Sequence, residues 1–387
     1  LVLIVLGTGL LKPNISSIVG GLYPMDEQAR RDAGFSIFYM GINIGAFIAP
    51  LIVGWLAEDI GWHWGFGAAG IGMLFGVIQY RATDKYLGDI GRTPEKIGTE
   101  EEERASKRKI KTGITVFLLI LAAVIAMAML GVITIDPRAI AEYSAYIILA
   151  VVAVYFLYVF MFVPLTADEK KKIGVIAILF FFSAVFWSGF EQAGSSLNLF
   201  ADRYTDRVMF GWEMPASWLQ SVNPMFIILL APLFGSIWIN LARKHMEPYT
   251  PVKFAMGLIF LGVGFGIMAL ASVYVMQGEH VLPTWLILTY LFHTTGELCL
   301  SPVGLSSVTK LAPKKLVGQM MGIWFMSIAL GNLIAGLVAG EFDEKAIEQN
   351  PSQLPDLFTN ITTFTVVAGL LLLILYKPIK KLMGNIH

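Results

Sequence analysis

Eleven apolar stretches of about 20 residues each dominate what this chain can fold into. They lie near 1–23, 35–57, 61–80, 114–135, 143–165, 174–200, 218–242, 253–276, 284–309, 317–340 and 358–377. A helix needs about 20 apolar residues to cross a bilayer's hydrocarbon core, whereas a membrane β-strand needs about 10 of alternating polarity. The run lengths therefore predict membrane-spanning helices and exclude a β-barrel. Composition agrees, because 56% of the 387 residues are hydrophobic and only 14% charged, against roughly a quarter charged in soluble domains. The expected class is an all-α polytopic membrane protein with about eleven transmembrane helices.

The 28 basic and 28 acidic residues cancel, so nothing in the balance points to nucleic acid. Cys299 is the single cysteine, which excludes a disulfide framework and cysteine-based metal sites. No G-x-x-x-x-G-K-S/T run is present, so an ion gradient is a better candidate energy source than ATP hydrolysis. Alternate loops sort by charge. One set carries Arg30, Arg31, Arg104 to Lys111, Lys170 to Lys172, Arg243, Lys244, Lys310, Lys314, Lys315 and the C-terminal lysines; the other carries Glu58, Asp59, Asp136, Glu142 and Glu279. The positive-inside rule makes the first set cytoplasmic, the C-terminus included. An odd helix count then puts residue 1 on the outside, so a cytoplasmic N-terminus would call for at least one further helix upstream.

Ionisable residues near the bilayer centre cost about 2.5–3.5 kcal/mol even on lenient scales. Lys12, Glu191 and Glu297 each fall midway along an apolar run. They fit a structural ion pair or a functional site near the midplane. One lysine cannot neutralise two carboxylates, and a pair buried for stability alone seldom outperforms apolar packing, so the functional reading is favoured. Pro13, Pro224 and Pro302 lie beside polar groups, where freed carbonyls commonly line a water-filled cavity. Trp187, Trp324 and Phe325 are candidate aromatic walls. His293 precedes Glu297 by one helical turn, which suggests a hydrogen-bonded histidine; two ligands do not make a metal site, and no metal is expected. Gly262, Gly264 and Gly266, like Gly331, Gly336 and Gly340, have the spacing of close helix packing.

Particular strings go further than composition. GTGLLKPN at 7–14, DAGFSIFYMGINIGAFIAPLIVG at 32–54, FWSGFEQAGSSLNLFADR at 186–203, QSVNP at 220–224 and GELCLSPVGLSSVTKLAP at 296–313 resemble the proton-dependent oligopeptide transporter (POT) family, a branch of the major facilitator superfamily, in its bacterial form. The resemblance implies a fold of two six-helix bundles with two helices inserted between them. On that template residues 1–80 are core helices four to six of the N-terminal bundle, 81–113 a cytoplasmic linker, 114–165 the inserted pair and 166–387 the C-terminal bundle. Three core helices, with the family's E-x-x-E-R signature, would lie upstream.

The resemblance also implies site roles. Lys12 matches the lysine that meets a peptide's carboxylate, and Glu297 the glutamate that meets its amino group. Asn43 and Asn223 match pocket asparagines, Ser301 belongs to the same pocket, and Trp187 and Trp324 match its aromatic walls. Glu191 matches a gating glutamate, so that Glu191, Glu297 and Lys12 would couple peptide to proton. The implied function is proton-coupled import of di- and tripeptides by alternating access, by an integral protein of the bacterial cell membrane in contact with lipid. No cofactor is implied beyond the proton as coupling ion. A carrier of another small solute, nitrate-like or drug-like, is the alternative on the same fold. A membrane hydrolase is disfavoured, because Ser195 and Ser196 have no convincing base.

Overall fold

The computed structural model describes residues 28–88, 90, 100–132, 134, 136–340, 342, 347 and 349–384, with isolated positions ahead of residue 28. Lys12, Pro13, most of the span expected at 1–23 and residues 91–99 of the expected linker lie outside the described residues. Among the described residues, eleven α-helices of nine residues or more follow one another: α1 (Gln28–Ala49), α2 (Trp62–Thr83), α3 (Glu100–Met129), α4 (Pro137–Phe162), α5 (Ala167–Phe190), α6 (Ser196–Tyr204), α7 (Val222–Arg243), α8 (Thr250–Met276), α9 (Thr284–Leu311), α10 (Val317–Ala339) and α11 (Gln353–Met383). Among the described residues, eight segments are long and apolar enough to cross a membrane. The stretches expected at 61–80 and 284–309 are also helical, as α2 and α9, but fall outside those eight.

The chain divides into two compact units, Leu1–Gly41 with Ile71–Ile140, and Ile42–Gly70 with Ala141–His387. In the first, α3 continues without a break from a charged start into an apolar second half, so the polar linker expected over 81–113 is already helical from Glu100. Its apolar residues are exposed, with Ile114, Leu119 and Ile120 all more than half accessible. Water would charge roughly 1.5–3 kcal/mol for each large apolar side chain left uncovered, and lipid would not.

The second unit holds the well-packed bundle. Thr166 opens α5 with a capping box: its hydroxyl accepts from the Glu169 N–H at 3.2 Å, and the Glu169 carboxylate accepts from the Thr166 N–H at 2.8 Å. Beyond the cap α5 is apolar all round, and Ile173, Val175, Ile176 and Leu179 are wholly buried, as expected of a helix enclosed by others. α8 packs along both α9 and α11, and α5 along α10. Interhelical hydrogen bonds supplement the packing, from Ser327 Oγ to Ser183 Oγ at 2.8 Å and from Thr289 Oγ1 to the Gly264 carbonyl at 3.1 Å. Such bonds are worth about 0.6–2 kcal/mol in membrane bundles.

Close packing at glycine is only partly as expected. A Cβ on Gly262 would stand 2.5 Å from Val366 of α11, and one on Gly264 2.5 Å from the His293 ring of α9. Gly336 meets nothing within 4 Å, and Gly340 meets only carbonyls of its own helix end.

Three further local features depart from uniform helix. After α1 the backbone runs through two π-helical turns, Pro50–Gly54 and Leu56–Ile60; proline lacks the N–H that an unbroken ladder needs. The expected span 174–200 breaks into α5, a 3₁₀ turn at Glu191–Gly194, and α6. Strands β1 (Val208–Met209) and β2 (Trp212–Glu213) form a hairpin whose central residues Phe210 and Gly211 both have positive φ, 54° and 81°, the turn that suits strand twist.

Candidate substrate and coupling site

The break in α5 sets the position of Glu191. Gly194, Ser195 and Ser196 follow it, all weak helix formers. The wholly buried Gln192 amide replaces the lost ladder. Its Nε2 donates to the carbonyls of Ser188 at 3.2 Å and Ala335 at 3.1 Å, while its Oε1 accepts from Ser196 Oγ at 2.7 Å and Ser195 Oγ at 3.2 Å. Both serines are thus donors to one amide, which gives neither the activating base that a nucleophile needs. Glu191 stands half-buried at the break. With its amide oriented so that donors face acceptors, Asn332 of α10 donates to Glu191 Oε1 at 3.3 Å and to the Ile328 carbonyl at 3.1 Å.

Glu297 projects from the middle of α9 and is 8% exposed. Asn223, the second residue of α7, reaches across with Nδ2 to Thr294 Oγ1 at 2.9 Å and to Glu297 Oε2 at 3.4 Å. Thr294 in turn donates to the Tyr290 carbonyl at 2.7 Å. A carboxylate has about four acceptor sites, so one long hydrogen bond leaves it able to take a further donor. Glu191 and Glu297 both belong to the second unit. Ser301 is one turn beyond Glu297 on the same face of α9, and half-buried. Pro224 occupies the first turn of α7, where its missing N–H breaks no hydrogen bond. It is no mid-helix breaker, whereas Pro232 and Pro302 do lie inside α7 and α9.

The aromatic residues separate into three cases. Trp187 is half-buried and meets Phe186 and Phe190 edge-on at centroid distances of 5.6 and 5.3 Å. Trp324 is core, 2% exposed, packed edge-on against Phe254 at 6.0 Å and against Gly304 of α9. Phe325, expected beside them as a wall, is 56% exposed, because the next residue on a helix points about 100° away.

Gly331 lets α10 approach α5. A Cβ there would stand 2.5 Å from Trp187 Cβ and 3.0 Å from both the Ala184 carbonyl and the Ser188 nitrogen. Gly331→Val should therefore destabilise the fold by roughly 1–3 kcal/mol through overpacking, read as a lowered unfolding temperature in detergent. An unchanged temperature would show that the two helices separate at no cost.

Asn43 is buried in α1, 6% exposed. One turn further along α1, the Phe47 carbonyl accepts from Ser221 Oγ at 2.8 Å, two residues before Asn223. The π-helical turns continue this contact: Trp218 Nε1 donates to the Leu51 carbonyl at 3.0 Å, and the Glu58 carboxylate accepts from the N–H groups of Ala216 at 2.9 Å and Ser217 at 3.1 Å. His293 departs from expectation. It is 1% exposed, its ring 4.7 Å from that of Phe265, and both nitrogens lack a hydrogen-bond partner; although the Leu261 backbone is near, the geometry falls short of a bond. Among the described residues no cluster of His, Cys, Asp and Glu could hold a metal ion.

Apolar helices in series, with a small polar cluster buried among them, define an all-α membrane protein. The POT family profile matches residues 1–354, and the chain belongs to that family. It is 42% identical over its whole length to the peptide transporter YePEPT of Yersinia enterocolitica, covering 75% of that protein. It is 35% identical, again over its whole length, to a di-/tripeptide transporter of Lactococcus lactis subsp. cremoris, covering 76% of it. Among solved structures it resembles a peptide transporter POT crystallised with sulfate, at 38% identity and a TM-score of 0.88, with 99% of this chain and 75% of that one covered. It also resembles a POT family transporter in complex with a thioalcohol-conjugated peptide, at 32% identity and a TM-score of 0.83, with 96% and 74% covered.

Proposed function

We propose that this protein is a proton-coupled symporter that imports di- and tripeptides by alternating access. The observation that carries the reading is the buried Glu297 carboxylate, held by Asn223 Nδ2, which Thr294 also engages, with acceptor capacity to spare. In a site largely removed from water a carboxylate attracts a cation strongly, and the free amino terminus of a peptide is such a cation. Lys12 supplies the opposite charge for the peptide's carboxylate. Each residue lengthens a peptide by roughly 3.5 Å, so a cation for one terminus and an anion for the other favour short peptides, while side chains stay unspecified. Asn43, Asn223 and Ser301 supply hydrogen bonds to the peptide backbone, with Trp187 and Trp324 as apolar neighbours.

Glu191 and Glu297 provide the coupling, together with Lys12. Two carboxylates in one field resist being ionised together, so a proton taken up by either changes how firmly the other holds its partners. Relatives named as peptide transporters support this reading. The assignment of 1–80 to the N-terminal bundle, 81–113 to a linker, 114–165 to inserted helices and 166–387 to the C-terminal bundle belongs to the same proposal. So do a cytoplasmic C-terminus, residence in the bacterial inner membrane, the absence of catalysis, and the lack of any cofactor beyond the proton. A nitrate-like substrate is disfavoured by Glu297, since an anion gains nothing from a buried carboxylate.

The test is reconstitution of the protein into vesicles carrying an internal pH indicator. Adding dialanine outside should acidify the interior, and nitrate should neither acidify it nor compete. Dialanine uptake without acidification would remove proton coupling, and competition by nitrate would remove peptide selectivity.

A further inference from the structure

We infer that one end of the second unit carries a binding site for the phosphate headgroup of an anionic phospholipid, distinct from the peptide site. A cavity of about 930 Å³ opens there between the end of α7, the start of α8 and the last turns of α11, lined by His245, Glu247, Tyr249 and Tyr376 among others. Basic residues frame it. Arg243 and Lys244 precede its rim and are exposed, and Lys377 follows Tyr376, also exposed. Lys380 Nζ stands 3.8 Å over the Tyr249 ring. The one carboxylate in the lining, Glu247, is already neutralised by Lys253, whose Nζ lies 2.6 Å away. The cavity is therefore electropositive, and its tyrosines are of the type enriched where a membrane meets water.

The surface of α11 argues for a lipid over a free phosphate. Phe364, Val367, Leu371 and Ile374 recur at three- and four-residue spacing and are 58%, 56%, 45% and 75% exposed, which makes one continuous apolar face. That face runs roughly 15 Å along the helix, about the hydrocarbon depth of one leaflet. By the same spacing it ends at Lys377 and Lys381, both exposed. An acyl chain can lie along the face while its phosphate reaches the lysines; a soluble phosphate would use only the upper end. Membrane-adjacent basic pockets of this form favour anionic headgroups.

The test is lipid retention by the full-length protein extracted in mild detergent from phosphatidylcholine vesicles containing a minority of phosphatidylglycerol, with bound lipid counted by mass spectrometry. The wild type should retain phosphatidylglycerol in preference to phosphatidylcholine. The double variant Lys377→Ala with Lys380→Ala should bind it roughly thirtyfold more weakly. Lys377→Arg with Lys380→Arg keeps the charge and should retain it, which separates loss of the site from loss of the fold. Equal retention by wild type and the alanine variant would overturn the proposal. Complete displacement of the lipid by millimolar glycerol phosphate would overturn it too, by showing a site for a free anion.

Discussion

Glu297→Gln is expected to lower dipeptide uptake by about a hundredfold while leaving the protein folded. The substitution keeps the shape of the side chain and a carbonyl oxygen able to accept the long hydrogen bond from Asn223 Nδ2. The Asn223–Thr294–Tyr290 chain of hydrogen bonds does not depend on the charge. What is lost is the attraction of a desolvated carboxylate for an ammonium group, worth about 2–5 kcal/mol when one partner of a buried, hydrogen-bonded charge pair is removed. Radiolabelled dialanine uptake into vesicles reads the effect, and unfolding temperature in detergent checks the fold. Uptake within twofold of wild type would show that the peptide's amino group is held elsewhere.

The second large effect is expected at Glu191. It sits where α5 has ceased to be helical, anchored from α10 by Asn332. Gln192 beside it seals the break with four hydrogen bonds. The Glu191 carboxylate can exchange partners without disturbing the bundle, because the backbone at the break is satisfied by Gln192 and not by Glu191. Glu191→Gln should abolish peptide accumulation driven by a pH gradient, while exchange of labelled for unlabelled dipeptide at equal pH continues. Loss of both would assign Glu191 to peptide binding. Retention of both would place the proton on another group, such as Glu297.

The parts of this protein visible in its sequence are those governed by cost. Apolar runs of spanning length are legible because lipid requires them, and Glu191 and Glu297 because a charge among apolar residues needs a reason. The motif strings that matched the family carried the rest of the site. Their neighbours were less visible. Asn332 holds Glu191, and Thr294 accepts from the Asn223 amide that holds Glu297, but a polar uncharged residue in a membrane helix costs little and signals little, so only the fold reveals these partnerships.

The breaks were hidden for a related reason. EQAGSS at 191–196 lies within an apolar run of spanning length, so hydropathy reads straight through it, although its glycine and serines are weak helix formers. The π-helical turns after Ala49 follow from Pro50, but a proline alone does not tell a kink from a ladder that slips by one residue. The charged start of α3 reads as a linker because helices without an apolar stripe leave no periodic signal. His293 shows the opposite failure: a histidine one turn from a glutamate suggested a hydrogen bond, and the aromatic rings around it decide otherwise.

The central claim is that fixed charges in this protein recognise the two ends of a short zwitterion. The most direct measurement compares binding of dialanine, N-acetyl-dialanine and dialanine amide to the wild type, to Glu297→Gln and to Lys12→Ala. The account predicts that Glu297→Gln weakens dialanine and the amide, which keep a free amino group, but leaves the already weak acetylated peptide unchanged. Lys12→Ala should weaken dialanine and the acetylated peptide but not the amide. Equal losses for all three ligands in either variant would contradict it, because each charge would then serve the fold and not one end of the peptide.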